Sequence, residues 1–301
     1  MYKITRREFL RRAGIVGVVT CVAGEEFLGM MEAQAAVQPT LSVASGGSPE
    51  ILVKKAIDGL GGIKKFVKPG NIVVIKPNLA WARRPEQAAN TNPEVISALI
   101  RLCKQAGAKR ITVLDHSCDS TEAAFAVNGV RDAVKAGARL VAADQKFMFR
   151  DIKIPKGKVL KADQCAREIL DADVFINVPI AKVHGSTTIT ASMKNMMGAN
   201  FDRQAWHNSA DLEQCIADYS TAVKPDLIVL DAIRILLTRG PKGPGQMKDV
   251  GQIIAGTDPV AIDAYAAKLL GKEPSQVSHI KYAAALGLGQ IDLKKVALRK
   301  A

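Results

Sequence analysis

The chain has 301 residues, with 42 Lys and Arg against 29 Asp and Glu for a formal charge of +13, and is 48% hydrophobic but only 5% aromatic. That hydrophobic content excludes a disordered chain, and basic residues scattered without interleaved aromatics argue against a nucleic-acid partner. The positive excess favours small anions, acidic proteins or anionic headgroups; removing residues 1–35 takes away five basic and four acidic side chains, so the excess does not originate there.

In chain order, Thr5-Arg6-Arg7-Glu8-Phe9-Leu10, then Arg11-Arg12 and an apolar run from Ala13 to Gly24, reads as a twin-arginine export signal. The run is short for a membrane span, and Ala33-Gln34-Ala35 offers a small-residue cleavage site before Ala36. The expected partner is the twin-arginine translocase, and the expected location is the periplasm or another extracytoplasmic space. Residues 36–47 are small and polar and read as a flexible tether, leaving residues 48–301 as one domain.

Ser48-Pro49-Glu50 supplies a cap, a first-turn proline and a first-turn acid to a helix through Ile51, Val53, Ile57 and Leu60, stopped by Gly61-Gly62. Ile72-Val73-Val74-Ile75 is continuously apolar, as in a strand covered on both faces. Asn92-Pro93-Glu94 opens a helix with Val95, Leu99, Leu102 and Cys103 on one face, and Ile111-Thr112-Val113-Leu114 is the next strand. Short helices at residues 122–127 and 130–135 lead to a strand at 139–142, and residues 147–155 alternate like a hairpin excursion. Residues 162–170 read as helix, 174–178 as strand, 209–223 as helix and 227–230 as strand. Ile253-Ile254-Ala255 precedes Asp258-Pro259, which opens an alanine-rich helix through Leu270, and a last helix runs from Pro274 to Leu286. This alternation predicts an α/β fold: a mostly parallel sheet with helices on both faces, one domain with insertions.

Of the cysteines after residue 35, Cys103, Cys165 and Cys215 fall in apolar helical patterns where a buried thiol is expected. Cys118 lies in a polar loop after a strand, as a plain loop residue, a reactive thiol or a ligand. No pair has C-x-x-C spacing, so no iron–sulfur or zinc-ribbon motif is encoded.

In an open parallel sheet the carboxyl ends of the strands share one edge, so the following loops converge on a crevice. Those loops carry Lys76-Pro77-Asn78, Asp115-His116-Ser117, Lys182-Val183-His184-Gly185, Asp231 and Gly256-Thr257-Asp258. Lys76, Asn78, Ser192 and Asn195, with the hydroxyls of Ser186, Thr187 and Thr188, are suited to binding a carboxylate or phosphate. Lys182, His184 and Lys194 are the candidates for catalysis. Asp115, Asp231 and His184, with His116 and His207 nearby in type, are the candidates to hold a divalent metal bridging to an anionic substrate. The competing structural expectation has Asp258 capping the helix at Pro259 and Asp263 facing water one turn on. No G-x-G-x-x-G fingerprint follows a strand, so neither NAD nor flavin is supported. Gly240-Pro241-Lys242-Gly243-Pro244-Gly245 lacks P-loop spacing and reads as a mobile lid or linker.

Several stretches together resemble the bacterial and archaeal domain-of-unknown-function family 362: Val74-Ile75-Lys76-Pro77-Asn78-Leu79, Thr91-Asn92-Pro93-Glu94-Val95, Ala106-Gly107-Ala108, Lys182-Val183-His184, Ser192-Met193-Lys194-Asn195-Met196-Met197-Gly198, and Ala255-Gly256-Thr257-Asp258-Pro259-Val260-Ala261-Ile262-Asp263. The likeness covers roughly residues 70–270. Some members of that family are fused to iron–sulfur modules; this chain has no cluster-binding cysteines, so that role does not carry over. Three functions compete. The first is an exported protein acting on a small anion, with a metal-assisted proton transfer or isomerisation. The second is a non-catalytic accessory protein with a redox partner, and the third is a protein that itself carries a redox cofactor.

Overall fold

A computed structural model describes residues 38–301, so the twin-arginine pattern and the Ala33-Gln34-Ala35 site lie outside the described residues. The first element among the described residues is a strand, β1 (Thr40–Ser45), with Leu41, Ser42 and Ala44 buried, so the tether expected over residues 36–47 is corrected from Thr40 to Ser45. Its apolar residues are few, but neighbouring strands on both sides satisfy its backbone. Helix α1 (Pro49–Asp58) follows, its Ile51 N–H capped by the Ser48 hydroxyl. Strand β2 (Ile72–Pro77) leads to α2 (Pro93–Gln105), whose Asn92 cap accepts the Glu94 N–H. Strand β3 (Arg110–Asp115), helices α3 (Thr121–Val127) and α4 (Val130–Ala133), and strand β4 (Arg139–Ala142) complete the first half.

Strands β5 (Phe149–Lys153) and β6 (Ala162–Ala166) then form a separate antiparallel pair, and α5 (Arg167–Leu170) follows. The helix expected over 162–170 is therefore half strand. Ladder pairing with β5 overrides the local helical preference there, and Cys165 is buried on a strand rather than a helix. Strand β7 (Val174–Val178) runs through Pro179 into β8 (Ile180–His184), which turns back as β9 (Thr188–Thr190). Helices α6 (Ser192–Asn195), α7 (Arg203–His207) and α8 (Leu212–Ala222) precede the long strands β10 (Leu227–Leu236) and β11 (Met247–Gly256). Helices α9 (Pro259–Leu269) and α10 (Ser278–Ala285) and strand β12 (Ala297–Lys300) close the chain.

The main sheet has the order β12-β1-β11-β10-β7-β2-β3-β4, with the β8–β9 hairpin attached to β10. Strands β10, β7, β2, β3 and β4 pair in parallel, whereas β11 is antiparallel to both neighbours. The sheet is thus mostly parallel within a mixed whole, and helices cover both faces. Side-chain alternation divides the core: Val73 and Ile75 pack with Leu52 and Val53 of α1 and Val95, Ile96 and Leu99 of α2. Val74 lies in the other layer, with Ile216 and Tyr219 of α8, Val260 of α9 and Ile280 of α10.

The reversed direction of β11 corrects one expectation. Its carboxyl end pairs with the start of β10, Ile228 opposite Gly256, so Gly256-Thr257-Asp258 lies at the sheet edge opposite the ends of β2 and β3. Asp258 accordingly serves structure: Oδ1 accepts the Ala261 N–H at 2.8 Å and Oδ2 the Gln290 N–H at 2.9 Å. Replacing Asp258 with Ala removes the α9 cap, and the urea midpoint should fall by the equivalent of about 1–2 kcal/mol at unchanged slope.

Candidate functional site

Parallel register sets Lys76, near the end of β2, beside Asp115, the last residue of β3. Lys76 Nζ stands 2.7 Å from Asp115 Oδ1, with the side chains 1% and 2% exposed. The other carboxylate oxygen accepts the Leu79 N–H at 2.6 Å, and Lys76 Nζ also donates to Pro77 O at 3.0 Å. Burial lowers the Lys76 pKa, and Asp115 offsets part of that effect. Gly198 makes room for the pair, since a Cβ there would lie 2.1 Å from Asp115 Oδ1 and 2.8 Å from Lys76 Nζ.

A cavity of about 560 Å³ opens beside this pair, at the carboxyl edge of the parallel strands. Lys182 lines it from β8, 1% exposed, and its Nζ donates to Asn78 Oδ1 at 3.2 Å and to Ala89 O at 2.5 Å. Both partners are neutral oxygens, so dipoles rather than a carboxylate meet the charge. Burial, reinforced by Lys194, pushes the Lys182 pKa down to about 7. His184 lies two residues on along the same strand, hence on the same face. Its Nδ1 accepts the Ser186 N–H at 3.1 Å, so the neutral ring carries its proton on Nε2. Burial, with Lys194 and Lys182, pushes its pKa down to about 3 and keeps the ring neutral.

Lys194, half-buried on α6, contacts Met197 Sδ at 2.8 Å, and burial lowers its pKa to about 8. The amides form a directed chain. Asn78 Nδ2 donates to Asn195 Oδ1 at 2.9 Å, Asn195 Nδ2 to Asn177 Oδ1 at 2.8 Å, and Asn177 Nδ2 to Ser192 O at 3.0 Å. At the mouth, Arg203 donates from Nη1 to His116 O and from Nη2 to Ser117 O, both at 2.6 Å, and Nη1 stands 3.3 Å from Cys118 Sγ. His116 bonds Asn200 O through Nδ1 at 3.1 Å and stacks on Phe201; burial and Arg203 lower its pKa.

The structure brings Lys76, Asn78, Asp115, Lys182, His184, Lys194 and Asn195 to one cavity wall, together with His116, Cys118, Ser186 and His207. Ser192 and Asp231 do not line it. Ser192 is buried, its N–H donating to Asp263 Oδ1 at 2.6 Å and its Oγ accepting from Asn177 at 3.1 Å. Asp231 is not a loop residue, because β10 continues through it to Leu236. Its carboxylate accepts the Asn92 N–H at 2.8 Å and the Ile233 N–H at 3.0 Å, and burial raises its pKa to about 6. The metal set Asp115, Asp231 and His184 is therefore corrected: Asp115 is taken by Lys76 and Asp231 by backbone. Among the described residues no group of three or more His, Cys, Asp or Glu is placed to hold a metal.

Asp263 is likewise corrected. It is fully buried on the inner face of α9 with Val260 and Ala267, and its Oδ2 also accepts the Met193 N–H at 3.1 Å. His279 Nε2 lies 3.6 Å from that carboxylate, and His279 Nδ1 lies 2.8 Å from Glu213 Oε2. Burial alone would lower the His279 pKa, but the two acids outweigh it and raise it.

Arg203 and Thr190 are cavity residues that reading the loops after strands misses. Arg203 opens a helix instead of following a strand, and Thr190 ends a hairpin whose return strand has only three residues. The available signal for Arg203 is its position just beyond the Lys-Asn-x-x-Gly block. The Gly240–Gly245 segment is also in place: Pro241 lines the cavity, and Lys242 bonds Asp119 Oδ1 at 2.8 Å and stands over the Trp81 ring.

Substituting Gly198 with Ala forces the Lys76–Asp115 pair apart in a space with no slack. The expected loss is about 1–3 kcal/mol in urea denaturation, with Gly129→Ala, whose neighbours are prolines outside the cavity, as a comparison for anion binding.

Residues 73–268 match the family described as a domain of unknown function, DUF362. A thylakoid-associated protein of Synechocystis sp. is 29% identical over 258 residues, covering 80% of this chain and 76% of that protein. Among solved structures, the lactate racemase apoprotein from Thermoanaerobacterium thermosaccharolyticum is similar at 14% identity and a TM-score of 0.48, over 77% of this chain and 57% of that one. A protein from Thermotoga maritima is similar at 12% identity and a TM-score of 0.45, over 77% and 60%. The chain thus spans less than two thirds of either solved protein. The matched segment runs from β2 into α9 and contains every cavity residue from Lys76 to Pro241, and the chain belongs to the DUF362 family.

Proposed function

We propose that the protein binds a small anion, a carboxylate or phosphate, in the cavity at the carboxyl edge of the sheet and transfers a proton on it. One observation carries this reading. Lys182 is buried against neutral oxygens in a cavity whose one buried carboxylate, Asp115, is already engaged by Lys76. A buried cation without a counter-charge is costly, and an incoming anion supplies what the protein leaves out. Lys194 and Arg203 add charge on the same walls, while the amide chain fixes the Lys182 head. A lysine that titrates near neutrality can also give up and regain a proton during turnover.

The pH dependence follows from the direction of the shifts. Lys182 is ammonium below about 7 and Lys194 below about 8, so binding of inorganic phosphate or pyruvate should be tightest below neutrality and weaken as pH rises through those values. Pyruvate is the cleaner probe, because its own charge is constant over that range. Calorimetry should show about a tenfold loss between pH 6 and 9. Lys194→Ala should lose about tenfold at pH 6 while keeping its circular dichroism spectrum. Equal affinity at both pH values, or in the variant, would reject the site.

We infer also that the protein works outside the cytoplasm, a reading supported by Arg6-Arg7 and the Ala33-Gln34-Ala35 pattern. Arg6→Lys with Arg7→Lys should trap the full-length chain in the cytoplasmic fraction, whereas the unaltered protein should be recovered beyond the membrane with a mass beginning at Ala36. Recovery of both in the same fraction would overturn the assignment.

A further inference from the structure

The β8–β9 hairpin presents more than a cation. Lys182 and His184 share one face of β8 by strand alternation, and ladder register sets Thr190 directly opposite Lys182. Thr190 is 3% exposed, lines the cavity, and its Oγ1 has no hydrogen-bond partner. A buried hydroxyl left unpaired beside a ligand cavity points to a ligand atom that completes it. The neutral His184 ring holds a second donor, Nε2–H, on the same face. Two neutral donors flanking an amine that faces no carboxylate do not resemble a simple anion clamp, which would need only the cations. They suit a polarised carbonyl oxygen with its carbon against the amine.

We propose that Lys182 is a nucleophile that forms an imine with a small α-keto acid, whose carboxylate is held by Lys194 and Arg203 and whose keto oxygen is bonded by Thr190 and His184. The inference rests on the anion-binding reading above and names its ligand class. In the first step the lone pair on neutral Nζ forms a bond to the keto carbon as the carbonyl π pair moves to oxygen. The nitrogen gives one proton to water and the oxygen takes one up, leaving a carbinolamine. The hydroxyl oxygen then takes up a second proton, the nitrogen lone pair forms the C=N bond as the C–O bond breaks and the oxygen leaves as water, and the nitrogen releases its remaining proton to water, which balances the one taken up. Amine and ketone thus become imine and one water, with no oxidant or reductant. The cavity, about 560 Å³ and bordered by Trp81, Met197 and Phe201, leaves room for an apolar side chain on the keto acid.

The test is reductive trapping of the full-length or exported protein with pyruvate and cyanoborohydride, followed by peptide mass mapping. Hydride addition to the imine carbon fixes one reduced pyruvate as a secondary amine. The expected result is an adduct on Lys182 at least about tenfold above that on exposed lysines such as Lys54. It should disappear in Lys182→Arg and fall several-fold in Thr190→Val, an isosteric change that leaves every cation in place. Wild-type mapping decides the matter even if a variant fails to fold. An adduct spread evenly over surface lysines, or none, overturns the imine. Pyruvate heats in calorimetry without a Lys182 adduct overturn the imine and leave anion binding standing, whereas neither heat nor adduct removes both.

Discussion

The cleft is organised by the ion pair between Lys76 and Asp115, which takes both charges out of water on adjacent parallel strands. Such a pair is not a cheap source of stability, because desolvation of both ions offsets most of their attraction. Its effect here is to fix positions. Leu79 N–H holds the second Asp115 oxygen, and Asn195 Nδ2 approaches Lys76 O at 3.4 Å. The absent side chain of Gly198 lets the segment after α6 close over both ions. The pair therefore ties the β2 loop, the β3 loop and the α6 segment into one wall. It also engages the only carboxylate among the described residues that is both buried and on the cavity lining, since Asp202, which lines it too, is exposed; Lys182 is left with neutral oxygens as partners.

Lys182 depends on that arrangement through the amides. Each asparagine in the sequence Asn78, Asn195, Asn177 turns its oxygen toward the preceding donor and its Nδ2 toward the next acceptor. The dipoles are aligned head to tail away from the ammonium, and each bond polarises its neighbour. The chain ends at Ser192, whose own N–H is held by Asp263, itself within ion-pairing reach of His279 and through it Glu213. The Asp263 and Glu213 carboxylates thus stand at the far end of the relay, on α9 and α8, and not beside Lys182. A carboxylate placed directly beside Lys182 would have neutralised it and competed with an anion. The amide relay instead supports the cation while leaving its outer side free.

Much of this was legible in the residues, and the failures have physical causes. The rule that loops after parallel strands share an edge accounts for Lys76, Asn78, Asp115 and Lys182 meeting, because β2, β3 and β7 are parallel and β8 continues β7. The same rule misplaces Gly256-Thr257-Asp258, since an apolar run such as Ile253-Ile254-Ala255 carries no mark of strand direction. It misreads Asp231 because a carboxylate inside a strand and one just after it look alike until the strand's true length is seen. β1 was hidden by its serines and its small apolar content; its partners, β11 and β12, are far away in sequence. Asp263 was placed in water by its charge, while the helical period puts it on the same face as Val260 and Ala267.

The cleft gathers buried cations with few counter-charges, and this couples ligand charge to protons. Burial is the largest cause of the low pKa of Lys182, Lys194 and His184, but each of the two cations also bears on His184, and Lys194 bears on Lys182. An anion entering the cavity reverses the sign of the local field, stabilising the ammonium forms that burial disfavours. On the anion-binding reading proposed above, binding near neutrality brings proton uptake, and a product with less negative charge would release both the protons and the hold on itself. The same coupling limits the nucleophile: an amine kept neutral by burial is available to a carbonyl before the carboxylate beside it recharges the site. In the proposed complex Lys194 and Arg203 bond the carboxylate directly and Lys182 feels its charge only through space, which divides charge and nucleophilicity between different side chains.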